Sequence, residues 1–180
     1  TPGLINPHDH ITFSEGVPID VGTERWEHRH GWRGSLRTPG NSSNAQGARW
    51  GELRQVIGGS TSLVGSGWGL GMMRNLDEAG HEEGLDIELV LNQTFPLGDS
   101  DERFQANCTW DYRYDESRVA SEDAYVPHVA EGIDDYAHDE FLCQAGEVAN
   151  AVDHTEPNTA HIHSIGLTSQ DYFRMAEDGA

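Results

Sequence analysis

His8 and His10 stand at i and i+2 directly after a short apolar run, Leu4-Ile5-Asn6. In extended backbone alternate side chains point the same way, so both imidazoles can face one divalent ion. Zinc takes such nitrogens at about 2.0–2.1 Å. His128 closes a second apolar run, Tyr125-Val126-Pro127, and His161 and His163 form another i, i+2 pair at the end of a third. Strand ends on one side of a parallel β/α barrel converge, which is where such barrels keep their active sites. One histidine would be an ordinary surface or core residue, but three strand ends carrying histidine form a convergent pattern. Glu131 follows His128 by three residues. There a carboxylate just past the strand tip can reach a metal-activated water and shuttle its proton. His28 and His30 repeat the spacing, but between Arg29 and Arg33 in a Gly-rich stretch. With no regular element to fix them, they read as pocket lining or surface, with a metal site as the lesser alternative.

The elements that must position these groups alternate. Gly3–Asn6 reads as a strand stopped by Pro7. Asn44 caps a helix on which Trp50, Leu53, Val56 and Ile57 recur at helical spacing until Gly58-Gly59. Residues 60–64 read as a strand, 70–79 as a helix, and 86–95 and 124–130 as strands. Residues 133–145 read as a helix with Asp134 and Asp135 in its first turn. Residues 159–163 form a last short strand, and Thr168 caps the final helix. Long loops are expected over about 14–44 and 97–122. Strand alternating with helix implies βα units and a parallel sheet. The run from Gly65 to Gly71 precedes a helix but lacks dinucleotide-loop spacing, so it reads as a βα loop.

Composition narrows the partners. The chain has 31 acidic and 11 basic residues, a formal charge of −20, and every basic residue is Arg. Nucleic acid is excluded as a main partner, because its binders need a cationic face. An anionic membrane surface is disfavoured for the same reason. There is no apolar run of about 18 residues, hence no expected transmembrane helix, and no signal peptide opens the chain. Without lysine there is no Schiff base, P-loop lysine or carbamylated-lysine bridge. Cys108 and Cys143 are two unrelated thiols or one staple between a loop and a helix. We expect them near enough to bridge, within the usual Cα limit of about 7 Å.

Four segments together carry a resemblance. Pro2-Gly3-Leu4-Ile5-Asn6-Pro7-His8-Asp9-His10 resembles the first-strand motif of the metal-dependent amidohydrolase superfamily. Gly58-Gly59-Ser60-Thr61-Ser62 looks like its second-strand Gly-Gly-Thr-Thr pattern. His128-Val129-Ala130-Glu131 is similar to the His-x-Ala-Glu of the deaminase and chlorohydrolase branch. His163-Ser164-Ile165-Gly166-Leu167-Thr168 resembles the following strand's His-x-x-x-Leu-Thr. The order is right, and the matches run from residue 2 to residue 180.

The resemblance implies an α/β fold, a partial (β/α)8 TIM-type barrel, truncated near the sixth strand. Such a barrel needs about 250 residues, so the sequence reads as a single partial domain over 1–180. The family's later Asp ligand and flanking β-sandwich would be missing. The resemblance implies His8, His10 and His128 as metal ligands, Glu131 as general acid/base, and His163 orienting the hydroxide or the substrate. It implies one divalent ion, zinc with iron as the alternative, and the absence of lysine favours a mononuclear site. The expected function is hydrolysis of a non-peptide carbon–nitrogen bond in a small molecule, deaminase- or amidohydrolase-like. The alternatives are a non-catalytic truncated fragment, or an acidic extracellular binding module using the Trp-rich segment 26–32. The acidic loops and paired cysteines suggest an extracellular or periplasmic location, otherwise cytoplasmic, and leave the oligomeric state open.

Overall fold

A computed structural model describes residues 3–14, 20–35, 45–65, 72–86, 89–99 and 106–180. The chain divides into two compact units, Thr1–Gly22 with Arg37–Asn92, and Thr23–Leu36 with Gln93–Ala180.

In the first unit, β1 (Leu4–Asn6) pairs in parallel with β2 (Ser60–Leu63), which pairs in parallel with β3 (Arg74–Asn75). The register sets Ile5 against Ser62 and Asn6 against Leu63. A helix (Ala45–Ile57), α2 in chain order, precedes β2 as expected, but the apolar residues whose spacing signalled it, Trp50, Leu53, Val56 and Ile57, are exposed, and Ala48 and Glu52 are buried instead. Ile11, Leu63 and Met73 are buried together. The Asn44 cap lies outside the described residues, as do 66–71. The helix expected over 70–79 is not formed in its described part: residues 74–75 are strand β3, followed by turns. The Leu76 backbone N–H donates to the Leu63 carbonyl, so sheet pairing has overridden a weak helical pattern.

In the second unit, α1 (Arg29–Ser35) lies inside the expected loop 14–44. Of the strand expected over 86–95, residues 87–88 lie outside the described residues, and within the described part only β4 (Leu91–Gln93) is strand. The stretch 97–122 contains a short helix, α3 (Glu116–Ala120), capped by Asp115, which accepts from the Arg118 N–H. β5 (Tyr125–Val129) is buried along its whole length. It pairs in parallel with β6 (Ile162–His163), placing His128 opposite Ile162 and Val129 opposite His163. Between them runs α4 (Asp135–Leu142), capped by Asp134. The final helix is α5 (Ser169–Asp178). Its N-terminus is a full capping box: Thr168 accepts from the Asp171 N–H, and Asp171 accepts from the Thr168 N–H.

Val129, Ala130, Ala137, Phe141 and Ala145 form the main core of this unit. A second cluster of Leu97, Cys108, Trp110 and Cys143 surrounds a disulfide between Cys108 and Cys143, Cα atoms 5.3 Å apart. The expected pairing is therefore made.

Among the described residues, the strands form two separate three-stranded sheets, β1-β2-β3 and β4-β5-β6. The fold is mixed α/β, and the sheets are not closed into a barrel. Among the same residues no helix is long and apolar enough to cross a membrane.

Candidate functional site

The first unit carries His8 and His10 just beyond β1. Their rings meet edge to face, centroids 4.6 Å apart. The segment is held by its neighbours: the His8 N–H donates to Asn6 Oδ1 at 3.1 Å, and Asn6 Nδ2 donates to Gln55 Oε1 at 3.0 Å. Gln55 on α2 also donates to Asp9. Gly65 at the tip of β2 has φ +120°, and a Cβ there would lie 2.4 Å from the Asp9 carbonyl oxygen. Glycine is what lets the two strand tips close together.

The second unit carries His128, Glu131 and His163. His128 Nδ1 lies 3.1 Å from the Gln93 carbonyl oxygen. A carbonyl only accepts, so Nδ1 carries the proton and Nε2 the lone pair. The His128 and His163 ring centroids are 5.3 Å apart. His163 Nε2 lies 3.3 Å from Glu131 Oε2, both side chains partly exposed. The backbone is left-handed at Ala130 (φ 54°), His163 (φ 78°) and Ser164 (φ 53°). Such geometry in residues with a Cβ costs of order 1–3 kcal/mol each and clusters at functional sites. It persists here because Ala130 O accepts from the Ile165 and Gly166 N–H groups and Val129 O from that of Ser164. The sequence-expected proton carrier and its histidine partner are thus brought together at the tips of adjacent parallel strands.

A second cluster in this unit was only half visible in the sequence. His28 and Arg29 are buried, and the side chain of His30 is only 6% exposed. The reading of His28 and His30 as unfixed lining or surface is corrected: His30 lies within α1, and His28 is bridged to Gly132. The Arg29 N–H donates to Glu131 O at 2.9 Å, and the Ile133 N–H to Glu27 O at 2.7 Å. His28 Nε2 lies 3.0 Å from Glu140 Oε1 on α4, and His30 Nε2 lies 3.0 Å from Asp99 Oδ2. The Arg29 guanidinium touches both carboxylates, contacting Asp99 and lying 3.2 Å from Glu140. Burial alone would push the Asp99 carboxyl up, but the His30 hydrogen bond and the Arg29 charge outweigh it and hold it below the usual range. Only the His-x-His spacing signalled this cluster, because Asp99 and Glu140 are remote in sequence. Trp26 and Trp32, the aromatics of the alternative binding surface, are half-buried.

Two further histidines, His154 and His161, lie against aromatic rings, and His161 has both ring nitrogens buried without a hydrogen-bond partner among the described residues. Tyr125 packs edge-on against His154, and Phe141 against His161. Burial, with the neighbouring His154 second, pulls the His161 imidazole down to about 4. An unfolded histidine titrates near 6.5. Above 6.5 both states are neutral and nothing is lost. As pH falls from 6.5 towards 4, only the unfolded state gains a proton, so the fold weakens by up to about 3 kcal/mol. Denaturation midpoints measured from pH 7 to 4 should fall steeply, and His161→Phe should flatten that slope. An unchanged slope in the variant would remove His161 as its cause.

His8 and His10 in the first unit and His128 in the second offer imidazole nitrogens, a donor type that suits zinc. Compared with family models, curated proteins and solved structures, the chain matches none.

Proposed function

We propose that the chain belongs to a metal-dependent hydrolase, related to the amidohydrolases, that acts on a non-peptide carbon–nitrogen bond of a small molecule. His8, His10 and His128 would hold one divalent ion, zinc in the first instance. The observation that carries the reading is the tautomer of His128: Gln93 O takes the Nδ1 proton, which makes Nε2 the ligating nitrogen. An ion held there would lower the pKa of water towards ~7 and polarise the bond under attack.

The chain's own residues then divide the work. Glu131 takes the proton from the attacking water and delivers it to the departing nitrogen. His163, 3.3 Å from Glu131, orients that carboxylate and the substrate. The strand order β1 to β6, with β1-β2-β3 and β5-β6 paired in parallel, suits the first six strands of a (β/α)8 barrel, and we include that architecture in the proposal. We also propose export to an oxidising compartment, since disulfides such as Cys108–Cys143 persist there.

The test is metal content. Zinc bound per chain, measured after gel filtration, should fall by one ion when His8, His10 and His128 are together replaced by Ala. An unchanged count would overturn the ligand assignment.

A further inference from the structure

We infer that Arg29 and Glu140 are positioning residues, which hold the turn after β5 so that the Glu131 carboxylate faces His163. The inference rests on the reading of Glu131 as the proton carrier. Both residues act through Glu131 and touch no reacting atom.

The turn needs holding. Ala130 lies in the left-handed region at φ 54°, and a residue with a Cβ stays there only where its surroundings over-determine it. The chain bends at Ala130 between His128 and Glu131, and Glu131 Oε2 comes 3.3 Å from His163 Nε2. Contacts from other elements fix this stretch on both sides of the bend. Glu140 Oε2, on α4, accepts the Ala130 N–H at 3.1 Å. The Arg29 backbone N–H donates to Glu131 O at 2.9 Å. The Arg29 guanidinium donates through Nη1 to Thr94 O at 3.0 Å, just past β4, and reaches His128 O at 3.5 Å.

The two side chains work as one device. Glu140 Oε1 lies 3.2 Å from Arg29 Nη2. The His30 N–H donates to His28 Nδ1 at 3.2 Å, so the proton of His28 sits on Nε2 and is donated to Glu140 Oε1 at 3.0 Å. Glu140 therefore meets donors from His28, Arg29 and Ala130, and a carboxylate, which only accepts, satisfies them all. Asp99 contacts the same guanidinium, and the Phe95 ring lies 5.1 Å beneath it. Neither Arg29 nor Glu140 has a side chain more than 3% exposed. An ion pair this deep adds little stability over apolar side chains of similar volume. What it does provide is a fixed path for the backbone that carries Glu131.

Glu140→Gln tests this. Whichever way its amide turns, the NH2 would face a donor: the Ala130 N–H on one side, His28 and Arg29 on the other. The wild-type chain should show a nuclear Overhauser signal between the side-chain protons of Glu131 and the ring protons of His163. In the folded variant, checked by circular dichroism, that signal should be lost. If Glu140→Gln does not fold, Arg29→Lys is read in its place, since it keeps the charge and loses the planar fork. A variant that is less stable but keeps the signal makes the pair merely structural and overturns the inference. The second arm is turnover of para-nitroacetanilide, a small amide whose leaving nitrogen must be protonated. There Glu140→Gln should lower kcat about 10²-fold, as misplacement of a reacting group does, and leave KM unchanged. In a chain already carrying Glu131→Gln it should cost nothing further, because groups that act as a unit are not additive. Additive losses would also overturn the inference. Wild-type kcat in Glu131→Gln alone would instead remove the proton-carrier reading, and the Overhauser signal would then decide the positioning by itself.

Discussion

Glu131→Gln should keep its bound metal and lose about 10²–10⁴ in kcat, the usual cost of removing a general acid/base. The substitution preserves shape and hydrogen-bonding reach but cannot hold a proton for transfer. Because Glu131 is partly exposed and its backbone carbonyl, not its side chain, pairs with Arg29, the fold should be unaffected. The measurement is turnover by full-length enzyme on a small amide or heterocycle that it is found to hydrolyse, with zinc content determined on the same sample. Wild-type kcat with normal metal would remove Glu131 from the role and make His163 the next group to test.

Loss of the Cys108–Cys143 bond should lower unfolding free energy by about 4 kcal/mol, from the chain-entropy cost of opening a loop of this size. The two cysteines are 35 residues apart in sequence, and both sulfur-bearing residues are buried against Leu97 and Trp110. Tyr112 adds a local tie by donating its hydroxyl to the Cys143 carbonyl oxygen at 3.1 Å. Denaturant unfolding of the double Cys→Ala variant should show a correspondingly lower midpoint with a similar slope. A midpoint equal to that of the bridged protein would mean that packing alone holds this corner.

Local signals in the sequence carried far into the structure. The helices at 45–57, 135–142 and 169–178 were legible in the sequence; Thr168 caps the last as its position suggests, and Asp134, read as a first-turn residue, is the cap of the second. β5 was legible because it is apolar but for His128 and buried throughout. Glu131 and His163 were each singled out in the sequence, but their 3.3 Å contact was seen only in the structure. What failed was set by distant partners. Residues 70–79 read as a helix, and pairing with β2 makes two of its described residues a strand. The 26–32 segment looked like free loop, because nothing local shows that Glu27 and Arg29 bond to the backbone beyond β5. Asp99 and Glu140 were lost among 31 acidic residues. Only tertiary structure distinguishes a buried carboxylate from a solvated one, and the disulfide likewise needed the Cα separation to decide it.

Gly132 has a consequence for how this sequence can vary. A Cβ on it would lie 2.5 Å from the Glu27 carbonyl oxygen and 3.1 Å from the Ala137 Cβ, so the backbone of 27–29 passes where any other side chain would be. The spacing from His128 through Glu131 to Gly132 is therefore locked to the spacing from Glu27 to His30. An insertion or deletion in either stretch would slide one against the other and separate His28 from Glu140. Relatives should show both intervals free of length changes, with glycine at the crossing, while the polar loops around them drift in length.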